Sequence, residues 1–188
     1  MRILGIFLAI APLAAASCAH ETPLSASERA LVLEAAILSS LGDPPYGHPD
    51  GPVDALCLAT YSPGDPPEDS GADPLNPVPA DVLRSLASHL VEATGLDVME
   101  DVACKRLPGR RHIVTRSDGR PALIITVFEP IWKHDQVYKV HVAVVAAGLW
   151  GHSTECLVDG SGGKWMAECR TVLISSVKPS NTRLEQAA

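Results

Sequence analysis

The sequence predicts an α+β fold, a curved antiparallel sheet of about five to six strands packed against two helices. Three observations carry this expectation. Two segments in the N-terminal half, SASERALVLEAAILSSLG (25–42) and PADVLRSLASHLVEATG (79–95), show helical apolar spacing between helix start and stop residues. After residue 111 the spacing changes to alternation, in runs joined by turn residues. The resulting order of helix, strand, helix and then hairpin-linked strands segregates helices from sheet.

In the first helix Ser25 is suited to cap the N-terminus, with Glu28 returning the contact, and Gly42 and Pro44 end it. Its apolar stripe is expected through Ala30, Leu31, Ala35, Ile37, Leu38 and Leu41. Glu34 falls within that stripe and is the one weak pocket candidate. A carboxylate on a buried face is a candidate acid or base, whereas the plainer reading has it reach the helix edge or meet a cation. VDALCLATYS (53–62) reads as a strand apolar on both faces, with Cys57 at its centre. Residues 62–79 hold six prolines and four acids in eighteen positions, a composition that favours a disordered loop. The spacing of those acids lacks the order of a calcium loop. The second helix takes Pro79 into its first turn, carries Val82, Leu83, Leu86, Leu90 and Ala93 on one side and ends before Gly95; His89 lies beside that side as a core or edge histidine.

RRHIVTRSDGRPALIITVFEP (110–130) is expected to be a hairpin turning at Asp118-Gly119 and pairing Val114 with Leu123 and His112 with Ile125. QVYKVHVAVVAA (136–147) is a further strand, with Tyr138, Val140, Val142 and Val144 on one face and Lys139 and His141 on the other, toward water. GLWG leads into HSTECLVD, and KWMAECRTVLISS returns beside it. Residues 177–188 lack an apolar period and read as a flexible tail.

Four cysteines remain after the first, Cys57, Cys104, Cys156 and Cys169, an even number that favours disulfides in an exported chain. With Gly162-Gly163 as a hairpin turn, Ser161 faces Lys164 and Cys156 faces Cys169 in a narrow pair that suits a disulfide. Elimination then joins Cys57 to Cys104, with two other connectivities open on paper.

Arg2 followed by the apolar run Ile3–Ala16 has the layout of a signal peptide over residues 1–17, too short and too interrupted by Pro12 to span a bilayer. Ala15, Ala16 and Ser17 before Cys18 resemble the bacterial lipoprotein box, although the usual leucine three positions before the cysteine is Ala15 here. The resemblance implies an acylated Cys18 as membrane anchor, an 18–24 linker, and an outer-membrane address, since Ala19 is not the retaining aspartate. Ordinary cleavage would instead leave a soluble periplasmic or secreted product.

A single α+β domain is expected over 25–176; with 188 residues, 46% of them apolar, the chain holds a real core, built from aliphatic side chains because aromatics make up 4%. The net charge of −7 argues against nucleic acid as a partner. The basic segment 105–120 suits an anionic partner or lipid headgroups, or simply a solvated edge. No motif for a metal, nucleotide or hydrolytic nucleophile occurs: DGSGG inverts the serine-protease order, and GHSTE fails the nucleophile elbow at its last position. No cofactor, metal or catalytic residue is therefore assigned.

The C-terminal half, KVHVAVVAAGLWGHSTECLVDGSGGKWMAEC, is similar to the end of cystatin-like and NTF2-like domains, over roughly residues 120–176. That likeness implies the curved sheet but transfers no functional residue, because those families include enzymes, binding modules and immunity proteins alike. The whole chain resembles small exported bacterial lipoproteins. The expected function is that of a non-catalytic envelope accessory or interaction domain; the alternatives are a binder of small apolar ligands or an NTF2-like enzyme using an internal pocket.

Overall fold

The computed structural model describes residues 23–42, 52–60, 76–107, 113–147 and 150–176. The elements run α1 (Ala26–Leu41), β1 (Ala55–Thr60), α2 (Ala80–Thr94), β2 (Asp97–Glu100), a short 3-10 turn (Asp101–Ala103), β3 (Cys104–Arg106), β4 (Ile113–Thr115), β5 (Ala122–Val127), β6 (Ile131–His134), β7 (Val137–Ala147), β8 (Trp150–Asp159) and β9 (Met166–Ser176). The α+β class holds, with one sheet packed on two helices. The sheet has seven strands in the order β2-β1-β5-β7-β8-β9, with β6 beside β7. It is mixed, since β1 runs parallel to both β2 and β5 while the rest of the ladder is antiparallel.

Local signals set the helix ends. Ser25 Oγ accepts from Glu28 N at 3.2 Å while Glu28 Oε2 accepts from Ser25 N at 2.8 Å, closing the expected capping box. Pro79 caps α2, and Gly95 ends it at φ 70°, a left-handed conformation that glycine adopts without strain. The buried face of α1 differs from the expected stripe: it is Ala30, Val32, Leu33, Ala36 and Ile37. The helix is apolar around much of its surface because it packs against α2 as well as β7, β8 and β9, so no single stripe describes it.

The main core lies between the helices and one sheet face, where Leu33, Ile37, Leu56, Leu86, Leu90, Leu123, Ile125 and Val140 are fully buried. A second, smaller core lies on the opposite face. There the β3–β4 pair covers Ala55, Cys57 and Ala122 with Cys104 and Ile113, stapled by the Cys57–Cys104 disulfide. Among the described residues the cover lies over the β1–β5 end and reaches Val145 of β7.

The expected hairpin at Asp118-Gly119 is not formed as a ladder. Val114 meets Pro121 in an isolated bridge, and β4 pairs with β3, placing Cys104 opposite Thr115. The reason is that β5 already has β1 on one edge and β7 on the other, leaving no edge for β4. The C-terminal hairpin keeps its expected register, Cys156 opposite Cys169 and Asp159 opposite Met166, around a wider loop over 160–165. Trp165 folds onto Gly160, where a Cβ would collide with the indole, and meets Tyr138 edge-on at 5.9 Å. Of the segment expected to stay disordered, 62–75 lies outside the described residues, but its end packs. Pro77 bridges to Phe128 and Val78 is buried.

Candidate groove between helix α2 and the sheet edge

Helix α2 presents two adjacent faces. Val82, Leu86 and Leu90 enter the core, while Ala80, Leu83, Arg84 and Ala87, spaced i, i+3, i+4 and i+7, form one wall of an open-sided groove. Leu58, Val98, Met99, Glu100 and Asp101, from β1, β2 and the turn that follows, form the other. The groove measures about 580 Å³, a volume within the range of ligand sites, and its floor is aliphatic apart from Met99. Charge sits at the rim, with Arg84 on the helix side facing Glu100 and Asp101 on the strand side. Arg84 Nε makes a long contact of 3.4 Å to Ala80 O.

β2 is the terminal strand of the sheet on this side. Asp97 N donates to Asp54 O at 3.4 Å, so by strand alternation Val98 and Glu100 turn their main-chain groups away from β1. An apolar trough beside strand groups with no neighbouring strand among the described residues is the arrangement that accepts an added strand.

Glu34 does not line this groove. Its Oε2 lies 3.4 Å from His89 Nδ1, so the two histidine and glutamate positions singled out from sequence meet across the α1–α2 interface, each partly buried. His89 Nδ1 has no hydrogen-bond partner there. The two side chains are thus neighbours between the helices, outside the groove. Among the described residues no group of three His, Cys, Asp or Glu side chains is placed to hold a metal.

The four downstream cysteines form the two expected pairs, Cys57–Cys104 and Cys156–Cys169, with Cα atoms 6.4 and 4.0 Å apart. Cys18 lies outside the described residues, as do residues 1–17, expected to be a signal peptide, and 177–188, expected to be a tail. Within the basic segment 105–120, Arg116 Nε donates to Val102 O at 2.7 Å and Arg120 bridges Asp97 and Asp118 at 2.7 Å each. Those two cations are held by the protein's own acceptors. His141 and Lys139 do sit on the face away from the helices, but they surround Glu155 at 3.8 and 3.7 Å, with Arg170 bonding its other oxygen at 2.6 Å. Burial alone would push the Glu155 carboxyl up; Arg170, Lys139 and His141 together outweigh it and hold the group below its ordinary value.

In comparison with known proteins, no family model matches the chain, and no curated protein or solved structure does either. The groove was not found from the sequence. Its helical wall was visible as the spacing of Ala80, Leu83, Arg84 and Ala87, but Leu83 reads equally well as core, and the four-residue strand DVME gives too short a pattern to mark a sheet edge.

Proposed function

We propose that this chain is an exported, lipid-anchored domain of the bacterial envelope that works by binding and not by catalysis, and that its ligand is an extended peptide carrying a bulky apolar side chain. The groove beside β2 carries the reading. Its aliphatic floor suits one or two buried side chains, and the outward main chain of Val98 and Glu100 suits strand addition. Being open-sided, it fits a chain that passes through better than a small molecule that must be enclosed. Its rim charges favour a peptide with an acidic residue toward Arg84 and a basic one toward Glu100 and Asp101.

Export is supported by the leader and by the two disulfides, which suit an oxidising compartment.

Selection of displayed random heptapeptides on the exported chain tests the binding site. Enriched sequences are expected to share a large aliphatic or aromatic residue and to bind Leu83→Asp and Ala87→Trp at least about tenfold more weakly than the native chain. No enrichment, or equal binding to all three proteins, refutes the site. The anchor is tested separately by metabolic labelling with a fatty-acid analogue, which should mark the native chain and not Cys18→Ala; equal labelling of both removes it.

A further inference from the structure

Strand β9 ends the sheet on the side opposite β2, and no strand lies along its outer edge among the described residues. Six large apolar side chains are exposed among those residues. Met166, Val172 and Leu173 lie on β9 and Leu157 on the strand beside it. An eleven-residue edge with such side chains is a template for another strand.

The existing ladder fixes which main-chain groups face outward. Cys156 and Cys169 oppose each other with Cα atoms 4.0 Å apart, the narrow kind of antiparallel pair, whose N–H and C=O groups point away from one another. Ala167, Cys169 and Thr171 therefore turn their main chain to the outer edge. Ala167 O also accepts from Ser39 Oγ of α1 at 3.2 Å, which leaves that oxygen a second lone pair. A bulge opposite Ser153 and Thr154 interrupts the strand after Thr171.

We infer that a second copy of this chain pairs β9 against β9, antiparallel, about a two-fold axis through Cys169. Antiparallel self-pairing gives a closed, isologous dimer. The outward groups require odd-numbered residues to face odd-numbered residues, which restricts the axis to a residue position and leaves three central choices. An axis at Glu168 sets glutamate against glutamate, and one at Arg170 sets arginine against arginine; both are destabilising. An axis at Cys169 sets Glu168 opposite Arg170 of the partner subunit, and Arg170 opposite Glu168 of the partner subunit. Both fall in narrow pairs, where side chains approach most closely. Met166, 70% exposed, then lies toward the bulged end of the partner subunit's β9. Arg170, whose side chain is 75% exposed, reaches Glu155 within its own chain and retains donors for the second carboxylate.

Sedimentation velocity on the exported chain in a Cys18→Ser background, from about 1 μM to about 1 mM, tests this. The native domain is expected to show a concentration-dependent dimer. Glu168→Arg and Arg170→Glu should each weaken it by about tenfold or more, since symmetry turns both ion pairs into like-charge pairs. Mixing the two variants should restore association, because one chain then presents only arginines and the other only glutamates at these positions. Matched melting midpoints confirm that the variants are folded; should Arg170→Glu fail that check through loss of its bond to Glu155, Arg170→Ala with Glu168→Ala replaces the pair, and weakened association is again expected. A monomer at every concentration overturns the inference, and so does a dimer indifferent to the single substitutions or a mixture that associates no better than its components.

Discussion

Asp118 accepts from Thr115 Oγ1 and from Arg120 Nε, and Arg120 N reaches Thr115 Oγ1 at 3.0 Å, so one carboxylate organises the turn between β4 and β5. The Thr115 hydrogen bond, followed by that of Arg120, holds its pKa down at about 2. A carboxyl depressed in the folded state contributes stability above its unfolded value near ~3.9, and loses that contribution as pH falls through the folded value. In an acid titration followed by NMR, the amides of Thr115 and Arg120 should shift with a midpoint near 2, and Asp118→Asn should abolish the transition. A midpoint near 4 would show that the turn does not hold the carboxylate. At the other end of the chain, Ser25→Ala opens the capping box of α1 and should cost about 1 kcal/mol in urea unfolding. That box was legible because all its partners lie within three residues. The Glu34–His89 contact was not, because it depends on how two helices meet, and neither residue's neighbours in sequence specify that.

At the scale of elements, the same distinction separates what the sequence conveys from what it conceals. The β8–β9 register could be counted outward from Gly162-Gly163, and widening of the loop to 160–165 left it unchanged, since the hydrophobic alternation and the disulfide agree on it. Asp118-Gly119 is an equally strong turn signal, yet its flanking strands separate. A turn signature states that the chain reverses there; which edges are vacant is decided by β1 and β7, distant in sequence. Strand β2 and the parallel pairings of β1 were hidden for the same reason, and the groove was hidden with them. Gly160 offers a test at this scale. Its missing side chain admits Trp165, which in turn abuts Tyr138, so Gly160→Val should displace the indole. A blunted change of tryptophan fluorescence on unfolding, with a lowered melting midpoint, is expected; an unaltered spectrum would mean that the loop folds independently of that contact.

Across the whole molecule, the two faces of the sheet are held by different means. The helix face buries large aliphatic side chains over most of its breadth. The opposite face holds Ala55, Cys57, Cys104, Ile113 and Ala122, mostly small side chains that remove little apolar area from water, so the β3–β4 cover depends on its staple. On the chain-entropy model the disulfide separated by 47 residues stabilises the fold by about 4 kcal/mol and the one separated by 13 by about 3 kcal/mol. Their joint contribution is comparable with the whole stability of an ordinary domain, roughly 5–15 kcal/mol. Reduction should therefore lower the urea midpoint steeply, and Cys57→Ala with Cys104→Ala should speed hydrogen exchange in β3 and β4 before it does so in β7 and β8. A chain whose midpoint is indifferent to reductant would fold as well in the cytosol as outside it. The disulfides would then lend no support to export, and the apolar run near the N-terminus alone would have to carry it.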